Sequence, residues 1–179
     1  MSAPVVVGLD LSLTSTGVAI SGGGAVTADT IKPPRGLDGL ARLRYLRGVV
    51  GYAVRDADLV VVETLALSSR TGKALERAGF WWAVRDEIDH LGIPFLGRTP
   101  QQVKMFATGK GNTLKDEVLA AMIKRYMEIE IKGNDAADAL ALCGIGLHHL
   151  GHSLGTGLLP KTHLRALDKI EVEPPLGAP

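Results

Sequence analysis

One cysteine, Cys143, stands in a chain of 179 residues. No internal disulfide can form, so packing alone must hold the fold, and a reducing, cytoplasmic setting is the expectation. Long apolar runs are missing as well. The longest are short stretches such as LVVV at 59–62, too short to span a bilayer, so no membrane partner is expected. The opening MSAPVVVG lacks the basic start and the cleavage site of a signal peptide. Aromatic residues are scarce, with three Phe, three Tyr and two Trp, and three of them crowd into the run Phe80, Trp81, Trp82. No internal repeat is visible, and the net charge is only +1.

What remains is globular composition, 46% hydrophobic and 22% charged, in a length suited to one domain with a real core. Residues 1–150 carry the patterned elements. Residues 151–179, rich in glycine and proline, read as a tail with at most a short amphipathic helix near 161–170. Charge is unevenly spread. Residues 32–55 hold Lys32, Arg35, Arg42, Arg44, Arg47 and Arg55 against Asp38 alone, and residues 98–132 hold seven bases against four acids. Both excesses suit an anionic polymer, and both suit ordinary solvated helix faces.

Hydrophobic periodicity sets out the elements. VVVGLDL (5–11) and DLVVVE (58–63) read as buried strands, the second parallel to the first. STGVAISG (15–22) and AVTADTI (25–31), joined by a glycine turn, make an antiparallel meander with the first. IPFLGRT (93–99) is a further short strand. Helical spacing marks 37–56, 71–91, a helix–turn–helix over 100–127 with Asn112 or Thr113 as the second cap, and 134–150 capped by Asn134 or Asp135. The order describes an α/β domain with a mixed sheet.

Acids then stand out by position. Asp10 closes the first buried strand and Glu63 closes its neighbour, at the strand ends where open α/β sheets bind ligands. Each alone has a plain alternative, a turn cap for Asp10 or a first solvated residue for Glu63. Asp135 and Asp138 lie three apart and share a helix face. Ala136, Ala137 and Ala139 keep that helix slim enough to lie close on the sheet. Four carboxylates converging there would repel one another unless a cation intervened. Oxygen donors without nearby histidine or cysteine point to Mg²⁺ or Mn²⁺ rather than Zn²⁺.

The motifs VVGLDLSLTSTGVAI, LVVVE, PQQVKMFATGKGNTLKDEV and NDAADALAL, in this order over residues 5–150, resemble the RuvC family of Holliday junction resolvases, within the ribonuclease H-like fold. The resemblance implies a five-stranded mixed sheet flanked by helices on both faces. It makes Asp10, Glu63, Asp135 and Asp138 a catalytic and metal-holding quartet, with two Mg²⁺ per site and Mn²⁺ as a substitute. Lys104 joins them as a catalytic base-rich partner, and Lys104, Lys115, Lys110, Arg70 and Lys73 are expected on the DNA. The substrate implied is branched DNA, above all the four-way junction, nicked symmetrically by a homodimer to leave 5′-phosphate and 3′-OH ends. No motif identifies a branch-migration helicase as a partner. Phe80, Trp81 and Trp82 cannot all face one core, so they are read as core plus dimer interface, with base stacking as the alternative. His148, His149 and His152 are read as helix-end residues favoured by the dipole. Two other readings remain: an actin-like or sugar-kinase-type nucleotide-binding protein, and a junction-binding protein without catalysis.

One departure from the family pattern bears on selectivity. The resemblance leads one to expect Gln after the catalytic glutamate and an aromatic two residues further on. Here the stretch is ETLALSSRTG, with Thr64 after Glu63 and Ala66 and Leu67 where the ring would stand. Base–aromatic stacking contributes about 1–3 kcal/mol per base, and an aliphatic wedge from Leu65 or Leu67 has no π-face. Under identical Mg²⁺ and salt, cleavage of a Y-fork and of a flap should therefore run within about a hundredfold of the rate on a four-way junction. A larger preference for the four-way junction over both would show that the missing ring does not relax selectivity.

Overall fold

Val6, Val7, Leu9, Leu59, Val60, Val61 and Val62 are all essentially inaccessible to solvent, which makes the two strands they form the spine of the molecule. In the computed structural model, which describes residues 3–65, 73–155 and 157–176, the strands are β1 (Val6–Asp10), β2 (Thr16–Gly22), β3 (Ala25–Ile31), β4 (Leu59–Glu63) and β5 (Phe95–Arg98). They form one sheet in the order β3-β2-β1-β4-β5. β4 runs parallel to both β1 and β5, while β2 is antiparallel to β1 and to β3. The helices are α1 (Gly39–Val54), α2 (Ala74–His90), α3 (Pro100–Thr108), α4 (Lys115–Arg125), α5 (Asn134–His149) and α6 (Lys161–Leu164), the last continued by a 3-10 turn over Arg165–Leu167. The mixed five-stranded ribonuclease H-like layout expected from the sequence is what forms. Among the described residues no helix is long and apolar enough to cross a membrane.

Strand alternation divides the core in two. Val7, Leu9, Val60 and Val62 point to the α1–α2 side, where they meet Leu46, Val50, Phe80, Val84 and Ile88. Val6, Leu59 and Val61 point to the other side, against α5, α3 and α4. Because Val6 and Leu59 pair, and Leu9 pairs with Val62, the chain places Asp10 and Glu63 at one level of the sheet. Both fall on the α5 side, each an even number of residues from Val6 or Leu59.

Helix α5 is buried on every side from Ala136 to Leu147, as expected of a helix caught between a sheet and an outer helical layer. Its closeness to the sheet has a cause in the strands. A Cβ on Gly8 would overlap the carbonyl of Ala139 and the amide of Cys143, and one on Gly17 would overlap the carbonyl of Asp135. The alanines of α5 supply half of that fit and the strand glycines the other half.

Local caps differ from expectation in two places. The α4 N-cap is Leu114, without a side-chain bond, and Thr113 instead donates its hydroxyl to Glu117. The α5 N-cap is Gly133, whose φ of 96° only glycine adopts readily. Asn134 is the first helical residue, and its amide donates to Asp116 at 3.1 Å. α3 carries a capping box, with Thr99 and Gln102 bonding reciprocally and Pro100 opening the helix.

The segment after α5 packs along the domain. His163 and Ala166 are buried, and the Arg98 guanidinium donates to the carbonyl of Ala166 at 2.5 Å. Glu173 pairs with Phe95 by two backbone bonds, so the otherwise open edge of β5 is covered.

Gly17→Ala should destabilise the protein by about 1–3 kcal/mol in urea unfolding, because backbone rather than a pliable side chain blocks the new methyl. Gly22→Ala, on the same strand with Val5 Cγ2 at 3.5 Å from the new atom, should stay within about 0.5 kcal/mol.

Candidate active site

Three elements bring the predicted acids to one place. β1 ends in Asp10, only 9% exposed, and β4 ends in half-buried Glu63. α5 crosses beneath them with Asp138 buried and Asp135 half-buried in its first turns. The loop leaving Asp10 is closed locally: the Thr16 hydroxyl donates to the Ser12 carbonyl at 2.8 Å and accepts from the Ser12 amide. Glu63 is tied from the other face of the sheet, where the Trp81 indole N–H donates to its carbonyl at 3.0 Å.

The acids feel one another. Burial, then the charge of Asp138, pushes Asp10 up to about 7. Burial, then Asp10 and Asp138, pushes Glu63 up to about 8. Burial also raises Asp138, against the opposing pull of Lys115. Lys115 Nζ stands 3.5 Å from Asp138 Oδ2. Burial disfavours the charge of Lys115, but the fields of Asp10, Asp138, Asp135 and Glu63 outweigh it and raise its pKa. Lys104, half-buried on α3, stabilises the charged forms of Glu63 and Asp138.

A site that holds three carboxylates at raised pKa asks for positive charge, and Lys115 supplies only part of it. Among the described residues no three His, Cys, Asp or Glu side chains stand close enough together to hold a metal ion as they are placed. All the donors are hard oxygens, which suits a cation that keeps several water ligands and takes further ones from a phosphate. The residues therefore fit a divalent ion of the Mg²⁺ type.

The remaining sequence-predicted residues are distributed unevenly. Lys110 is exposed in the turn between α3 and α4, and Lys73 is exposed at the start of α2, 3.8 Å from Glu76. Arg70, like Ala66 and Leu67, lies outside the described residues. Phe80 is sealed in the chain's own core, which corrects its assignment to an interface. Trp81 stacks edge-on to Phe95, and only Trp82, 64% exposed, offers its ring outward. Burial lowers the pKa of His148, whose ring stands edge-on to Phe106, so its surroundings oppose the charge that the helix end favours. Half of the first basic stretch is neutralised in space. Arg42 pairs with Glu76 and Arg47 with Glu87, both at 2.6 Å, and Arg55 pairs with Asp56. The bond from Trp81 to Glu63 is the supporting contact that sequence reasoning missed, since nothing local ties an indole to a glutamate 18 positions earlier.

Acids at adjacent strand ends, a third acid on the helix crossing them, and lysines at the rim define a nuclease of the ribonuclease H-like class. The family model described as crossover junction endodeoxyribonuclease RuvC matches residues 6–146, and the chain belongs to that family, whose members cleave DNA with the help of divalent metal. It is 29% identical over 147 residues to RuvC of Nocardia farcinica, covering 76% of this chain and 77% of that protein. It is 34% identical over 110 residues to RuvC of Chlorobium chlorochromatii, covering 59% and 55% of the two. Among solved structures it resembles Thermus thermophilus RuvC bound to a Holliday junction substrate, at a TM-score of 0.66 and 22% identity over 84% of this chain and 98% of that one. The fowlpox virus resolvase with its junction DNA is similar at a TM-score of 0.54 and 14% identity, covering 82% and 98%.

The raised carboxylates set a pH dependence. Unfolded, the groups of Asp10 and Glu63 titrate near 3.8 and 4.5; folded, near 7 and 8. Between those values the folded state binds more protons than the unfolded one, so stability falls as pH rises. In chelator, the melting temperature should therefore drop progressively across this window and level off above it. Asp10→Asn should flatten the slope, and Mg²⁺ should raise the melting temperature most at the alkaline end. A melting temperature that climbs through the window in chelator would contradict the shared-charge site.

Proposed function

We propose that the protein resolves four-way DNA junctions, and other branched DNA, by hydrolysing one phosphodiester in each of two opposed strands. The observation that carries this reading is the meeting of Asp10, Glu63 and Asp138 from three separate elements at raised pKa, with Lys104 and Lys115 facing them. Asp10, Glu63, Asp135 and Asp138 would hold the metal. Divalent cations, two Mg²⁺ per site with Mn²⁺ as substitute, would polarise the scissile phosphate and acidify the attacking water. Lys115 exchanges its contact with Asp138 for the DNA backbone, and Lys104 offsets the charge that builds on the phosphate as the bond to the 3′-oxygen breaks. The products carry 5′-phosphate and 3′-OH ends. Lys110, Lys73 and Arg70 extend the basic surface.

Symmetric nicking needs two sites related by a two-fold axis, so the active species is a homodimer. Leu75 and Trp82, seven residues apart and thus on one face of α2, are 87% and 64% exposed. They supply an apolar patch for that contact. The reduced thiol expected of Cys143, buried against the Val6 carbonyl, suits a cytoplasmic setting.

The test is a labelled synthetic four-way junction incubated with the protein, shown by light scattering to be a dimer, in Mg²⁺ and in chelator. Cutting should occur only with metal. Asp138→Asn should keep the fold and junction binding but slow single-turnover cleavage by about a thousandfold, the scale of several kcal/mol of lost charge stabilisation. Cleavage by that variant at near wild-type rate would remove Asp138 from the site.

A further inference from the structure

Of the bases in the first positive stretch, Arg42, Arg47 and Arg55 are absorbed by acids. Lys32, Arg35 and Arg44 are exposed and have no acid partner among the described residues, and of these Arg44 lies on α1 while Lys32 and Arg35 follow β3 directly. Of the acids nearest in sequence, Asp29 accepts the amide of Thr30 at 2.7 Å, and Asp38 is the N-cap of α1.

The segment that carries them is stiff. Pro33 and Pro34 fix their own φ angles. The Leu37 amide then donates to the Pro34 carbonyl at 3.3 Å and closes a four-residue turn. Gly36, third in that turn, has a φ of 87°, the value a type II turn requires there. Arg35 thus occupies the second position of a tight turn whose geometry is set before any ligand arrives, and little backbone entropy is lost on contact.

Topology places this turn at the catalytic end of the sheet. β1 and β3 are both antiparallel to β2, so β3 ends at the same edge as Asp10. Ile31 lies opposite Thr16, and the next residue, Gly17, lies opposite Asp10. Two strand spacings separate β3 from β1, about 10 Å. Lys104 approaches from the other flank, since α3 follows β5 at the far edge of the sheet.

We infer that Lys32 and Arg35 form a second DNA-backbone contact on the β3 flank of the carboxylates, opposite Lys104, Lys110 and Lys115. The inference rests on the junction-resolving reading above. At two strand spacings from Asp10, the turn meets the backbone within a few nucleotides of the scissile phosphate. Holding the strand on both flanks keeps that phosphate from pivoting away from Asp10 and Glu63.

The experiment measures junction affinity by fluorescence anisotropy in chelator, where no strand is cut, between about 50 and 200 mM salt. Each lost phosphate contact lowers the slope of log affinity against log salt by about 0.9, so Lys32→Ala/Arg35→Ala should lower it by about 2 and Arg35→Ala alone by about half of that. Arg55→Ala removes the same charge beside Asp56, just before β4 begins, at the opposite edge of the sheet, and should leave the slope as it is. An unchanged slope in the double variant, or an equal loss from Arg55→Ala, overturns the inference. If the wild-type protein itself shows no salt-dependent junction binding, the junction-resolving reading fails with it. Normal wild-type binding with an unchanged double-variant slope removes the flanking contact alone.

Discussion

Burial raises the pKa of Asp10, Glu63 and Asp138 because α5 is held against the sheet, and the charge of Asp138 adds to the rise at Asp10 and Glu63. The hold is backbone on backbone: Gly8 and Gly17 in the strands leave no Cβ between the sheet and the helix carbonyls of Ala139 and Asp135. With the helix that close, like charges that would relax apart in water stay within reach of one another in a half-dry setting. The favourable burial of α5 from Ala136 to Leu147 outweighs that repulsion, so the fold stores the electrostatic demand that a cation answers.

Charge in the remainder of the molecule is sorted by the same geometry. On the α1–α2 side, Arg42 and Arg47 meet Glu76 and Glu87 and fasten two helices together. Near the carboxylates, Lys104 and Lys115 face the acids of the candidate site, and the fields of those acids hold Lys115 in its charged form. The two groups of bases look alike as sequence, and only their spatial partners separate a structural cation from one available to DNA.

α2 runs from the core to the surface beside the site. Its inner face buries Phe80, its middle ring, Trp81, bonds the Glu63 carbonyl, and its outer face exposes Leu75 and Trp82. The segment after α5, beyond the residues matched by the family model, braces the opposite side: Arg98 at the end of β5 grips the carbonyl of Ala166, and Glu173 covers the β5 edge.

The sequence by itself determined the element order, the mixed sheet and the acidic set, because period-2 and period-3.6 hydrophobicity and strand-end acids are local signals. The pairing of Asp135 with Asp138 was legible for the same reason: three residues on a helix define a shared face. Tertiary structure alone decided what depends on contacts distant along the chain. The strand glycines that admit α5, the indole on Glu63, and the acids that neutralise Arg42 and Arg47 lie 18 to well over 100 positions from the groups they touch. Phe80 and Trp82 show the limit most plainly. Both are large aromatics on one helix, and only the packing of α2 on the sheet makes one core and the other surface.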